Sequence, residues 1–157
     1  MTTPTPELIR AAASRIAGDV RRTPLWRLPG AALGLRCAEV WLKLEQLQVG
    51  GSFKARGMFN RMRSLPVPAA GVVVASGGNA GIAWAAQRQG FIAASHLLDD
   101  AAIRDAQRRI WRELRLAVEP AAALPLAALW TGLVQPVAHE RVAVIVCGAN
   151  LDPASLA

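Results

Sequence analysis

The 157 residues predict an α/β protein with a mainly parallel sheet. Three observations carry that expectation. Apolar runs of strand length alternate with amphipathic helical stretches. Two of those runs, Val72–Ala75 and "RVAVIV" at 141–146, are continuously apolar, as strands covered on both faces are. Both give way to glycine turns, "SGGNAG" at 76–81 and "CGAN" at 147–150.

In chain order, Thr5 is placed to cap a first helix with Pro6 at its opening position. Ile9, Ala12, Ala13 and Ile16 make one apolar face, and the helix ends before Thr23-Pro24. "AEVWLKLEQL" alternates at Val40, Leu42 and Leu44, which predicts a strand over 39–44. Gly50 and Gly51 then break the chain, and Ser52 can cap a helix from about Phe53 to Ser64. After Val72–Ala75 and its turn, a helix is expected over Ala80–Gln89, closed by Gly90. "DDAAIRDAQRRIWRELRLA" carries Ile103, Ala106, Ile110 and Leu114 on one stripe, and "PLAALWTGL" reads as a shorter helix before the last strand.

Composition narrows the function classes. Lys and Arg number 18 against 11 Asp and Glu, a net charge of +7. The arginines are spread along helical faces, without a dense basic run and without tyrosine to stack on bases, so a nucleic-acid partner is not expected. Cys37 and Cys147 give no disulfide framework, which suits a reducing, cytoplasmic compartment. His96 and His139 lack companions at ligand spacing, so no metal site is expected. The N-terminal stretch is polar and helical rather than an apolar leader, and the apolar runs fall short of a bilayer span.

One residue stands out chemically. Only Lys43 and Lys54 are lysines; the other sixteen basic residues are arginine. Lys54 lies in "LQVGGSFKARGMFN", framed by Gly50, Gly51, Ser52 and Phe53. A surface cation could equally be arginine, but an amine that must lose its proton and react could not. At a helix N-terminus the dipole, and any burial, would favour the free amine that imine chemistry requires. A plain surface lysine fits the spacing equally well.

Five motifs occur in a recognisable order: "TPL" at 23–25, "WLKLEQLQVGGSFKARG" at 41–57, "ASGGNAGIAWA" at 75–85, "EPAAA" at 119–123 and "VCGAN" at 146–150. They resemble the pyridoxal-phosphate enzymes of the tryptophan-synthase-β fold, most of all the serine/threonine dehydratases. The resemblance implies that Lys54 forms the Schiff base with pyridoxal 5'-phosphate and removes the substrate Cα proton. It implies that Phe53 packs beside the pyridine ring, that Asn79 bonds its phenolic oxygen and that Cys147 faces the ring nitrogen. Ser76, Gly77, Asn79 and Ala80 match the loop that grips the substrate carboxylate. The implied activity is β-elimination from L-threonine or L-serine to a 2-oxo acid and ammonia, by a possible homo-oligomer. Glu119 matches a recurring position to which no role is attached.

The chain departs from that family in length. The match runs to about Phe91 and resumes near His96, as though an internal segment were missing around residues 91–96. Residues 1–70 and 96–157 correspond to a large domain, and 71–95 to a remnant of a smaller one. The glycine loop that cradles the cofactor phosphate has no counterpart in the sequence; Arg56 or another arginine is a candidate to replace part of its charge. A silent remnant that oligomerises through exposed apolar strands is the alternative to an enzyme.

Overall fold

In the computed structural model the described residues are 4–64 and 96–156. The expected strand Val72–Ala75, the helix Ala80–Gln89 and the candidate residues Ser76, Gly77, Asn79 and Ala80 lie outside them. Two compact units divide the chain, Met1–Leu65 with Leu98–Ala157, and Pro66–Leu97; every element below belongs to the first.

The capping signals act where the sequence puts them. Thr5 Oγ1 accepts from the Leu8 N–H at 3.3 Å, and Pro6 opens helix α1, Pro6–Arg15. Its apolar face is less covered than its periodicity implies: Ile9 is exposed, and Ile16, just past the helix, is buried. Strand β2 spans Glu39–Leu44, with Val40, Leu42 and Leu44 turned inward. Helix α2, Lys54–Arg63, starts one residue later than expected and ends one residue earlier.

The sheet departs from the expectation. Strand β1, Leu25–Pro29, pairs antiparallel with β2, setting Trp26 opposite Leu42. Strand β3, Arg141–Val146, pairs parallel with β2 on the other side, setting Val144 opposite Leu42. Among the described residues the sheet is therefore mixed, in the order β1-β2-β3, rather than mainly parallel. Connection length explains it. The chain between β1 and β2, residues 30–38, is too short for a crossover helix and returns as an antiparallel pair.

Helices α3, Asp100–Leu114, and α4, Pro120–Trp130, pack on each other, and α4 lies against β3. Ala106 and Ile110 from α3, and Ala122, Ala123, Leu126 and Ala127 from α4, join Val40, Leu42, Val144 and Val146 in one core. The buried Gln107 amide donates to the Val118 carbonyl at 2.7 Å, tying α3 to the approach to α4. The helix α4 begins before the expected "PLAALWTGL" because Pro120 suits an opening position, and Pro125 is carried inside it.

Burial of β3 on both faces is overturned. Val144 and Val146 are buried, whereas Ile145 between them is 57% exposed. Helix α4 covers one face of β3; on the other, Ile145, Lys43 and Leu25 stand side by side across the three strands. Among the described residues no helix is long and apolar enough to cross a membrane.

Candidate active site

Lys54 is the first residue of α2 and is exposed, not buried. The backbone before it is set by Gly50 and Gly51, both at φ +69°, a left-handed conformation that glycine adopts without strain. Ser52 Oγ accepts from the Lys54 N–H at 3.4 Å. Two backbone hydrogen bonds then join this loop to the turn after β3. The Phe53 N–H donates to the Cys147 carbonyl and the Ala149 N–H to the Gly51 carbonyl, each at 3.0 Å, which makes Ser52 and Gly148 an antiparallel bridge pair. Lys54 and Cys147, far apart in sequence, thus sit on two turns laced together. Phe53, the candidate ring neighbour, is also exposed.

Beneath the lysine loop lies a polar cluster that sequence reasoning missed. Glu45, in the turn after β2, is buried at 4% exposure. Arg56 reaches it from α2 with two bonds of 2.8 Å, from Nε to Oε2 and from Nη2 to Oε1. The Thr23 hydroxyl donates to Oε1 at 2.6 Å, and Lys43 Nζ lies 3.8 Å from the same oxygen. Burial pushes the Glu45 carboxyl up, but Arg56, Thr23 and Lys43 together outweigh it and hold it below the usual carboxylate range. Arg56 is therefore committed to Glu45, which corrects its candidacy as a phosphate ligand. No local pattern announces this pairing; a buried acid appears only when the fold covers it.

The neighbouring Gln46 is 7% exposed, and neither its amide oxygen nor its amide nitrogen has a hydrogen-bond partner among the described residues.

Around Cys147 the partner is Glu119, the residue before α4. The half-buried Cys147 thiol lies 3.8 Å from Glu119 Oε1, and the Asn150 N–H donates to Oε2 at 3.2 Å. The Glu119 N–H returns a bond to the Gly148 carbonyl at 3.0 Å. Burial raises the thiol above its ordinary range and the Glu119 charge adds to the effect, while the Lys54 charge opposes it. The thiol is thus kept protonated, a neutral donor rather than a thiolate.

Residues 16–92 match the family described as pyridoxal-phosphate dependent enzyme. That segment, about half of the chain, is similar to the pyridoxal-phosphate dependent enzymes. Phenylserine dehydratase of Ralstonia pickettii is 43% identical over 60 residues, covering 38% of this chain and 18% of the relative. The β-hydroxyaspartate dehydratase of Paracoccus denitrificans is 45% identical over 53 residues, 34% of this chain and 16% of the relative. A chloroplastic biosynthetic threonine dehydratase of Solanum lycopersicum is 40% identical over 82 residues, 50% of this chain and 13% of the relative. The matched stretches thus span under a fifth of each of these three relatives.

Among solved structures, a threonine deaminase from T.th. superposes with a TM-score of 0.70 at 22% identity, covering 95% of this chain and 99% of that one. Maize serine racemase gives a TM-score of 0.60 at 16% identity, covering 94% and 95%. These likenesses establish the fold, that of the tryptophan-synthase-β-like enzymes, and the family's cofactor is pyridoxal 5'-phosphate.

The described residues fit that cofactor at its aldehyde and ring ends. The Lys54 amine is accessible, and the protonated Cys147 thiol on the laced turn is a neutral group of the kind that can face a pyridine nitrogen. The start of α2 is not a phosphate cradle. The Phe53 amide is taken by the Cys147 carbonyl, the Ala55 amide by Ser52 and the Arg56 amide by Phe53.

Proposed function

We propose that this chain is a pyridoxal-phosphate-dependent lyase that deaminates L-threonine or L-serine to a 2-oxo acid and ammonia in the cytoplasm. The observation that carries the reading is the lacing of the Lys54 loop to the Cys147 turn, because it brings the only two reactive groups of the proposed centre among the described residues onto adjoining backbone. Residues 1–70 and 96–157 act as the large domain, and 71–95 as the remnant of the smaller one; the division of the chain near residues 65 and 98 supports this.

In this proposal Lys54 would hold the cofactor aldehyde, Phe53 would flank the ring, Asn79 would bond the phenolic oxygen and Cys147 would face the ring nitrogen. When bound, pyridoxal phosphate supplies the electron sink for loss of the Cα proton. The chain's own residues do the rest. Backbone amides of the Ser76, Gly77, Asn79 and Ala80 loop orient the substrate carboxylate. The Lys54 amine would accept the substrate Cα proton as general base. The neutral thiol of Cys147 would offer the ring nitrogen a hydrogen bond in place of the proton a carboxylate partner would encourage.

The test is spectroscopic. Adding pyridoxal phosphate to the full chain gives an absorption band from covalent attachment, lost in Lys54→Ala, and ammonia release from L-threonine and L-serine then ranks the two substrates. No band at millimolar cofactor defeats the proposed activity. A second reading, an oligomerising module without activity, draws support from the open sheet face bearing Ile145 and Leu25; a concentration-dependent increase in sedimentation without a cofactor band would favour it.

A further inference from the structure

Glu119 and Cys147 come from different elements, and the contacts between their turns converge on one carboxylate. Oε1 takes the thiol, Oε2 takes the Asn150 N–H, and the Glu119 backbone amide closes onto Gly148. Gly148 itself is shaped to this carboxylate, because a Cβ there would stand 2.7 to 2.8 Å from its carbon and both oxygens. The turn so held is the one whose Cys147 carbonyl and Ala149 amide bind the Lys54 loop.

We propose that Glu119 is the positioning residue of the Cys147 turn: its carboxylate holds the thiol as a hydrogen-bond donor and seats residues 148–150 against the loop that carries Lys54. The charged groups acting on the thiol are Glu119, from the start of α4, and Lys54, from the start of α2, with opposite sign. A thiol has a single hydrogen. Charge at 119 therefore decides whether that hydrogen stays with the carboxylate or is free for an acceptor opposite. The catalytic meaning of this arrangement rests on the proposed function, but the arrangement itself can be tested without cofactor.

The experiment follows the pH dependence of Cys147 alkylation by iodoacetamide in the full chain, with Cys37 resolved separately by peptide mass spectrometry. Because the thiolate is the nucleophile, Glu119→Gln moves the Cys147 profile to lower pH and speeds alkylation near neutrality by about five- to tenfold, a shift of up to roughly one pKa unit. Lys54→Ala moves the profile in the opposite direction. A Glu119→Gln profile that overlays the parent, in a chain with native circular dichroism, overturns the proposal. Should Glu119→Gln not fold, Glu119→Asp decides: its shortened carboxylate withdraws from the thiol, so a shift to lower pH supports the proposal and an unchanged profile overturns it. Cofactor attachment at Lys54 is a separate readout, so failure of the thiol test and failure of the proposed function are told apart.

Discussion

Gly148 faces the Glu119 carboxylate with no space left for a methyl group, since an added Cβ would lie 2.7 Å from the carboxylate carbon. The obstruction is the end of a side chain and not backbone, so the carboxylate can swing aside. Gly148→Ala then loses the Asn150 and Cys147 contacts rather than the fold. The expected cost is about 1–2 kcal/mol by urea unfolding. Gly148→Ala combined with Glu119→Ala costs less than the sum of the two single changes, because the second substitution removes what the first collides with.

Glu45 gives a pH dependence with a definite sign. Its carboxyl is held below the usual value of 4.5 in the folded chain. The stabilisation it provides is thus complete above the unfolded value and is lost as pH falls through the depressed folded value. Glu45→Gln is less stable than the parent at pH 6, by about 1–3 kcal/mol. The gap closes as pH falls from 4.5 into the acid range, through the depressed folded value. Thermal melts of both proteins across that range check it, and a constant gap would rule out Glu45 as its source.

Gln46 predicts a gain. A buried amide with neither donor nor acceptor engaged carries a desolvation cost without a compensating bond. Gln46→Met keeps the length of the side chain and removes the polar atoms, so the melting temperature rises, by an amount equivalent to about 1 kcal/mol. A fall in melting temperature would mean that the amide is satisfied in solution.

What was legible in the sequence was local. Thr5 and Pro6 mark the start of α1, the alternation at Val40, Leu42 and Leu44 marks β2, and Gly50, Gly51 and Ser52 bring the start of α2 to within one residue. These signals work because capping and side-chain alternation act over a few residues. The reading failed where neighbours decide. Strand β1 went unread because an edge strand with exposed Leu25, Trp26 and Arg27 shows no alternation. The apolar run in β3 implied two covered faces, but coverage depends on what packs there, and Ile145 is left open. At the site, Lys54 and Cys147 stood out by residue type and motif. Glu45 did not, and Glu119 stood in a matched motif without a role, because an acid acquires its meaning only from the arginine, thiol or amide that folding brings to it.

The bonds between residues 51–53 and 147–149 also bear on how the centre comes into being. They close a loop of nearly a hundred residues, a contact whose entropic cost is met only as the chain completes its tertiary structure. A nascent chain that has left the ribosome through Lys54 but not yet through β3 lacks the turn to which the Lys54 loop is bonded. The proposed centre is therefore completed only once the last strand and its turn have joined the sheet.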